Sequence, residues 1–257
     1  MKSNTLIQVK NLYKCYQDKA HWFKKGKDVN IGPVSFDIKR GETIAIVGAA
    51  GSGKSTIAKL LASAETADHG ELYFDGDLIN WDDNSFFSRN IRLIFQDASK
   101  SLNPSVKIGK QLEQPLIFNT SLDDKQRKEK ILEVLRMVGL LPEHAEYYPH
   151  MFSGGQAQRI GIARALILDP KVVIIDEALA PLDPSLRAQV INLLIELQQQ
   201  RGLTYILISH QISLIKYLSD RVFVMDSGQI IEQGDSEDLF NNPQHPITEK
   251  LLFSLDM

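Results

Sequence analysis

The sequence predicts an α/β fold with a parallel-sheet core. Three short segments, at residues 43–47, 171–176 and 204–209, are almost entirely apolar and rich in β-branched residues. Such segments are typical of strands that are buried on both faces, as in parallel sheets. Helical patterns lie between them. We therefore expect a parallel α/β core, some antiparallel strands near the N-terminus and a mostly helical insertion between about residues 97 and 165.

Two amphipathic helices are predicted from the spacing of apolar residues. Residues 125–140 contain one apolar face, with Gly139 as the expected helix stop. Residues 185–202 contain another, with Gly202 as the expected stop. The first face is formed by Ile131, Leu135 and Val138, and the second by Leu186, Val190, Leu193, Leu194 and Leu197.

Two hairpins are predicted from turn dipeptides that separate extended runs. Asp75-Gly76 divides the run ELYF from DLI, and Ser227-Gly228 divides RVFVMD from QIIEQG. Both dipeptides favour the tight turns that join antiparallel strands.

The composition is ordinary for a globular protein and excludes several classes of function. The chain has 257 residues, of which 43% are hydrophobic and 24% charged, and its net charge is −3. This charge gives no global field that would recruit nucleic acid or an acidic membrane surface. The one cysteine, Cys15, can form neither an internal disulfide nor a cysteine-ligated cluster. We expect a cytoplasmic protein without signal peptide or membrane span, attached to a membrane only through partners.

Residues 48–56, GAAGSGKST, predict a phosphate-binding loop. They fit the pattern G-x-x-x-x-G-K-[ST], with a predicted strand before them and a predicted helix from about residue 54. Glycines let the backbone wrap an anion, and the loop amides and the helix N-terminus face it. We expect Lys54 to contact the β- and γ-phosphates of a nucleotide and Ser55 to ligate Mg²⁺. The alternative is a Gly/Ser-rich turn before an ordinary helix.

A second group of polar residues follows the other buried strands. Asp176 and Glu177 come at the end of one strand, where the first is suited to the Mg²⁺ shell and the second to orienting or deprotonating water. His210 ends the strand at 204–209 and is suited to donate a hydrogen bond to the γ-phosphate. Gln96 follows a further apolar run, and its amide is suited to reach the metal or the water. Alternatively, the acids begin a solvated loop and His210 is a capping or surface residue.

The ordered set of motifs resembles the ATP-binding subunit of ABC transporters. The set comprises GAAGSGKST, Gln96, FSGGQ (152–156), VVIIDE (172–177), LAPLD (179–183) and ISH (208–210). The resemblance covers nearly the whole chain and implies a P-loop NTPase, RecA-like parallel-sheet core. It implies one ABC ATPase domain over residues 1–257, with a nucleotide-binding core and β subdomain at about 1–96 and 166–257. The helical signature subdomain would lie at about 97–165.

The resemblance also assigns residues to ATP and Mg²⁺. Glu177 matches the catalytic base, His210 the γ-phosphate sensor, and Gln96 a catalytic and metal-side glutamine. Metal-side residues are Ser55, Gln96 and Asp176. Tyr16 would stack on adenine, with Tyr13 as the alternative, and Asp183 would be a dimer contact. The resemblance assigns the following residues to nucleotide binding: Tyr16, Gly48, Ala49, Ala50, Gly51, Ser52, Gly53, Lys54, Ser55, Thr56, Ser153, Gly154, Gly155, Gln156 and Asp183.

In that family two ATPase subunits pack head to tail. Ser153, Gly154 and Gly155 of one subunit would cover the γ-phosphate bound by the loop of the other, which implies a second ATPase subunit, either identical or a paralogue. Integral membrane permease subunits and a substrate-binding protein are further implied partners, and nucleic acid is not. The alternative for Ser153 is an ordinary N-cap before a helix.

Two elements indicate a branch of the family. FQDASKSLNP (95–104) and NNPQHPITEKLL (241–252) resemble the oligopeptide/dipeptide importers, and within that branch the chain looks most similar to the Sap peptide-transport ATPases. DEALAPLD replaces the commoner sequence after the catalytic acid, and its Pro181 stiffens the path to Asp183. The C-terminal cysteine cluster of some relatives is missing, so no iron–sulfur centre is expected.

Two other functions compete with transport. A non-transport ATPase that clamps nucleic acid also carries SGGQ-type signatures, but it usually has a long coiled-coil insertion or two ATPase units, and this chain has no basic stripe. A binding subunit with degenerate chemistry is the third possibility. It is disfavoured because Glu177, His210 and Ser153 are intact.

Overall fold

The computed structural model describes residues 4–17, 28–94, 101–180 and 182–255. The chain divides into two compact units, Met1–Asn84 with Thr204–Met257, and Ser85–Leu203. The strands are, in chain order, β1 (Thr5–Tyr16), β2 (Val29–Lys39), β3 (Thr43–Gly48), β4 (His69–Phe74), β5 (Asp77–Ile79), β6 (Ile91–Ile94), β7 (Val172–Asp176), β8 (Thr204–Ile208), β9 (Arg221–Asp226) and β10 (Gln229–Asp235).

Helices follow most of these strands. They are α1 (Lys54–Leu61), α2 (Asn84–Asn90), α3 (Ile108–Asn119), α4 (Asp124–Met137), α5 (Gly154–Leu166), α6 (Pro184–Arg201), α7 (Ile212–Leu218), α8 (Ser236–Asn241) and α9 (Pro246–Leu255), with short 3₁₀ turns at Pro142–Glu146 and Pro149–Met151. The predicted helix from about residue 54 is α1. The predicted subdomain boundaries stay a prediction.

The first unit contains a parallel and an antiparallel set of strands. β3 lies between β8 and β9 and runs parallel to both, and β10 pairs antiparallel with β9. Every residue of β3 and β8 is buried, as predicted for strands covered on both faces. The antiparallel set has the order β2-β1-β4-β5. The predicted antiparallel strands near the N-terminus are therefore confirmed.

Both predicted hairpins form. Asp75 and Gly76 have φ of 58° and 91°, and Ser227 and Gly228 have φ of 46° and 84°. Two consecutive positive φ angles are the geometry of the turn whose twist matches the flanking strands. β4 and β5 pair across the first turn, and β9 and β10 across the second.

The second unit joins a parallel strand pair to helices α3 to α6. β6 and β7 are parallel. α4 begins with a capping box formed by Asp123 and Gln126, and Gly139 follows its end with φ of 71°. α6 ends at Gly202 in the left-handed conformation, as predicted. The buried apolar residues are Ile131, Val134 and Leu135 in α4 and Val190, Leu193, Leu194 and Leu197 in α6.

Residues 101–104, SLNP, form a turn that precedes helix α3; we call them the SLNP turn. Arg164 of α5 donates to the carbonyl oxygen of Ser101 at 2.8 Å and to its hydroxyl at 2.7 Å. Gln111 of α3 accepts from the Asn103 amide at 2.9 Å and donates to the Asn103 carbonyl at 3.0 Å. The turn is thereby fixed to two helices of the same unit.

Residues 245–248, HPIT, which belong to the second branch-indicating element, start the last described helix. Pro246 occupies the first position of α9, where its missing N–H costs nothing. Glu232 of β10 accepts from the amides of Gln244 at 2.8 Å and His245 at 3.1 Å. These bonds therefore tie the start of α9 to β10 within the first unit. Of the helices that the structure describes, none has the length and hydropathy that crossing a membrane requires.

Candidate active site

The predicted phosphate loop joins β3 to α1. A Cβ at Gly48, whose φ is 154°, would overlap the carbonyl oxygen of Met225 in β9 and lie 2.7 Å from Ser52 Oγ. Gly53 is the N-cap of α1, with φ of 105° and no side-chain capping hydrogen bond. The loop therefore turns tightly against its own sheet, and the glycine at the N-cap position has no side chain with which to cap the helix. This is the arrangement that favours an external anion at the helix N-terminus.

Lys54 is buried inside this loop. Its Nζ donates to the carbonyl oxygens of Gly48 at 2.9 Å and Ala49 at 2.8 Å. The ammonium charge is thus held at the centre of the loop rather than in solvent. Ser55, the next residue, is exposed in the first turn of α1. A hydroxyl is an oxygen donor of the type that Mg²⁺ prefers, so the residues present fit a nucleotide phosphate with its metal.

Tyr16 is brought to the helix that follows the loop. Its hydroxyl donates to Glu65, which lies after α1, and it also contacts Thr56 in the first turn of α1. Tyr13, three residues earlier, is engaged elsewhere. Its hydroxyl donates to Asn30 Oδ1 at 2.9 Å, and its ring stacks on His69 with centroids 6.0 Å apart. Of the two aromatic candidates for adenine stacking, Tyr16 is the one that contacts α1, the helix that follows the phosphate loop.

His210 emerges at the same sheet edge as the loop. β3 and β8 are parallel neighbours, with Ile46 opposite Ile208, so the loop and residues 209–210 both leave the carboxyl ends of their strands. Ser209 is buried and its hydroxyl accepts from the Gln211 amide at 3.1 Å, whereas His210 is exposed. Gln96, the other candidate near this edge in the sequence prediction, lies outside the described residues.

In the second unit, Asp176 and Glu177 lie at the carboxyl end of β7. Both are half-buried. Glu177 has φ of 50°, in the left-handed region that costs an L-residue about 1–2 kcal/mol. Its carbonyl oxygen accepts from the Ala180 amide at 3.1 Å, which closes a turn directly after the two acids. Strained backbone of this kind is common at functional sites, and it stands here at the residue predicted to be the catalytic base.

The signature segment forms the N-terminus of α5. Ser153 is its N-cap: Ser153 Oγ accepts from the Gln156 amide at 3.3 Å, and the Gln156 side chain accepts from the Ser153 amide at 3.0 Å. The alternative interpretation of Ser153 as an ordinary cap thus describes real geometry, although a hydroxyl that accepts one hydrogen bond still has a proton to donate.

The two glycines after Ser153 differ in their surroundings. A Cβ at Gly155 would lie 2.8 Å from Leu186 Cδ2 of α6, so Gly155 allows two helices to approach. A Cβ at Gly154 would meet no described atom within 4 Å. The folded chain therefore accounts for Gly155 but not for Gly154.

Asp183 is the N-cap of α6. Its Oδ1 accepts from the amides of Ser185 and Leu186, both at 3.0 Å, and the residue is exposed. Because Leu186 also contacts Gly155, the N-termini of α5 and α6 lie together. The structure thus brings Ser153, Gly155 and Asp183 into one region of the second unit.

One residue beside the phosphate loop, in the first unit, was not predicted from the sequence. Glu65 bonds Tyr16 from 49 positions further along the chain. Neither its spacing from the loop nor its neighbours form a known motif. A contact between a strand and a distant turn depends on tertiary packing, so no local signal could have found it.

Comparison with known proteins settles the family. The family model described as ABC transporter matches residues 31–180. The chain belongs to the ABC transporter family. The chain is 48% identical over 248 residues to the putrescine export system ATP-binding protein SapF of Escherichia coli, covering 96% of this chain and 92% of that one. It is 48% identical to the dipeptide transport ATP-binding protein DppF of the same species, covering 96% and 75%.

The solved structures give the same result. A dimeric ATP-binding cassette, bound to ADP and Pi in a post-hydrolysis state, matches with a TM-score of 0.77 and 28% identity, covering 90% of this chain and 99% of that one. The predicted ABC ATPase fold and the similarity to Sap and dipeptide-transport ATPases are confirmed. The chain is an ATP-binding subunit of an ABC transporter and an ATPase.

Proposed function

We propose that this chain hydrolyses Mg-ATP in a head-to-tail dimer with a second ATPase subunit, and that it powers transport of peptides or a related small substrate. The observation that supports the proposed dimer is the open space around Gly154. Alanine is a better helix former than glycine, and nothing described in the chain would collide with its Cβ. A glycine there is explained by a group that approaches from another molecule, such as the nucleotide on a partner subunit.

The loop residues bind the phosphates. The amides of residues 48–53 and the N-terminus of α1 face the anion, and the buried Lys54 ammonium exchanges its carbonyl partners for phosphate oxygens. Tyr16 stacks on adenine. Mg²⁺, when bound, would neutralise the negative charge of the phosphates. Ser55, Asp176 and Gln96 are the residues that we propose on the metal side.

The proton chemistry rests on Glu177. Its carboxylate accepts a proton from the attacking water. His210 donates a hydrogen bond to the γ-phosphate. Ser153, Gly154, Gly155 and Gln156 of one subunit cover the γ-phosphate on the other, with Asp183 at the dimer contact. A lone subunit then contains two incomplete half-sites.

We propose permease subunits and a substrate-binding protein as further partners, with the chain bound peripherally on the cytoplasmic side of the inner membrane. The names of the two relatives support a small organic substrate, a dipeptide in one and putrescine in the other. Uptake or release of labelled dipeptide and putrescine by vesicles that carry the whole assembly separates these two.

Replacing Glu177 with glutamine tests the mechanism. Glu177→Gln is expected to keep ATP binding, to lower turnover by at least about 100-fold, and to accumulate an ATP-bound dimer, because loss of a general base typically costs 10²–10⁴ in rate. ATPase assays and sedimentation with and without ATP measure both effects. Glu143→Gln, on an exposed turn of the same unit, is the matched control. Unchanged turnover in Glu177→Gln would remove Glu177 from the base role.

A further inference from the structure

Tyr16 is fixed at both ends of its side chain. It is the last residue of β1, so the sheet holds its backbone, and its hydroxyl donates to a carboxylate oxygen of Glu65. The ring is half-buried and contacts Thr56 in the first turn of α1. A phenol that is held at both ends has little rotational freedom left to lose.

Glu65 is in turn fixed to the helix that begins in the phosphate loop. Its Oε1 accepts from Lys59 Nζ at 2.9 Å, and its amide donates to the Lys59 carbonyl at 3.3 Å. Lys59 lies in α1, whose first residue is Lys54. The chain of contacts thus runs from the phosphate loop through α1 to Lys59, Glu65 and the ring of Tyr16, entirely within the first unit.

The charges favour this arrangement at neutral pH. Burial alone would raise the pKa of Glu65, but the hydrogen bonds from Tyr16 and Lys59 outweigh it and hold that pKa below its usual value. Burial and the Glu65 carboxylate both raise the pKa of Tyr16. Glu65 therefore stays an acceptor and Tyr16 keeps its proton, which gives a charge-assisted bond.

We propose that Glu65 is a positioning residue for the nucleotide base: it holds the ring of Tyr16 at a fixed distance and tilt from the phosphate loop, preorganised to stack on adenine. The inference rests on the proposed role of Tyr16. Because α1 carries both Lys59 and the phosphate-binding residues, the base and phosphate contacts share one rigid element. Preorganisation raises affinity by removing the cost of ordering a side chain on binding.

The test compares ligands with and without a base. Tyr16→Phe and Glu65→Gln are each expected to weaken ATP binding by about two- to tenfold, the value for one side chain that must be ordered on binding. Binding of inorganic tripolyphosphate is expected to be unchanged. Both variants act on the same bond, which Tyr16→Phe removes and Glu65→Gln leaves without its charge. The double variant is therefore expected to bind ATP no more weakly than Tyr16→Phe. Titration calorimetry on the purified full chain measures the affinity of each single variant and of the double variant for ATP and for tripolyphosphate.

The antiparallel sheet offers a matched control pair. Tyr73 donates to Glu71 at 2.9 Å within β4, an exposed bond of the same chemical type. Tyr73→Phe and Glu71→Gln are expected to leave ATP affinity unchanged. Thermal melting of every variant separates a loss of binding from a loss of folding.

The outcomes distinguish this inference from the proposed function. Normal ATP affinity in Tyr16→Ala would overturn the adenine role of Tyr16 itself. Weak ATP binding in Tyr16→Ala, with normal binding in Tyr16→Phe and Glu65→Gln, would overturn the positioning role while the adenine role stands. An effect of Glu65→Gln that Tyr16→Phe does not share would show that the released Lys59 charge acts instead, and the inference would also fail.

Discussion

Two glycine-containing loops of this protein precede helices, and the two helix N-termini differ. α1 starts from Gly53 without a side-chain cap, whereas α5 starts from Ser153 with a complete capping box. The glycines differ as well. Gly48 of the first loop is pressed against the Met225 carbonyl of its own sheet, and Gly154 of the second faces open space in the described chain.

The difference separates two reasons for having glycine. At Gly48 the requirement comes from folding, since any Cβ would push the loop off β9. At Gly154 nothing in the described part of the chain requires glycine, since a Cβ there would meet no described atom within 4 Å. The packing of the chain thus explains the glycine of the first loop, whereas for the second our proposal is that a partner subunit and its nucleotide require it.

The largest effect on stability is expected at the first loop. Gly48→Ala should lower the free energy of unfolding by about 3 kcal/mol, because overpacking adds to the strain of a positive φ. Gly51→Ala is the matched variant: its φ is 78°, but a Cβ there would meet no described atom within 4 Å, so a loss of about 1 kcal/mol is expected. Urea unfolding measures both. Equal losses would refute the packing explanation for Gly48.

An intermediate effect is expected at the cap. Ser153→Ala should lower the free energy of unfolding by about 1 kcal/mol, the usual value of an N-cap. Asp123→Ala removes the same capping box from α4 and should cost a similar amount. ATPase assays then distinguish the two variants by their turnover. Ser153→Ala should also lose about ten- to a hundredfold in turnover, the value of a hydrogen bond to a charged group, whereas Asp123→Ala should keep its rate.

The smallest effect on stability is expected at Gly154. Gly154→Ala should raise the free energy of unfolding by about 0.5 kcal/mol, because alanine restricts the unfolded chain. ATP binding by the isolated subunit should be unchanged, while ATP-dependent dimerisation and turnover should fall. Sedimentation with ATP checks the dimer. A variant with normal dimerisation and turnover would end the distinction between the two glycine loops.

The sequence predicted those parts of the fold that depend on local pattern. The buried strands β3, β7 and β8 followed from β-branched runs, and the Asp75-Gly76 and Ser227-Gly228 turns followed from residue type. The length of β1 and β2 did not, since strands with several register shifts lack a clean alternation. Such strands are specified by their neighbours in the sheet.

The site divides in the same way. The loop at 48–56 was predictable because its residues are contiguous and its glycines have a fixed function. The link from Tyr16 to Glu65 was not, since it joins residues 49 positions apart. Ser153 is the intermediate case. Its sequence context suggested both a cap and a nucleotide contact, and the structure shows the cap, while the contact stays a prediction.

The bonds from Arg164 to Ser101 have a mechanical consequence. The guanidinium of Arg164 donates to two oxygens of Ser101, so the SLNP turn (101–104) cannot move relative to α5 without breaking both hydrogen bonds. Gln111 fastens the far side of that turn to α3. A displacement of α5 is therefore expected to move the turn and α3 with it, because the turn is hydrogen-bonded to both helices.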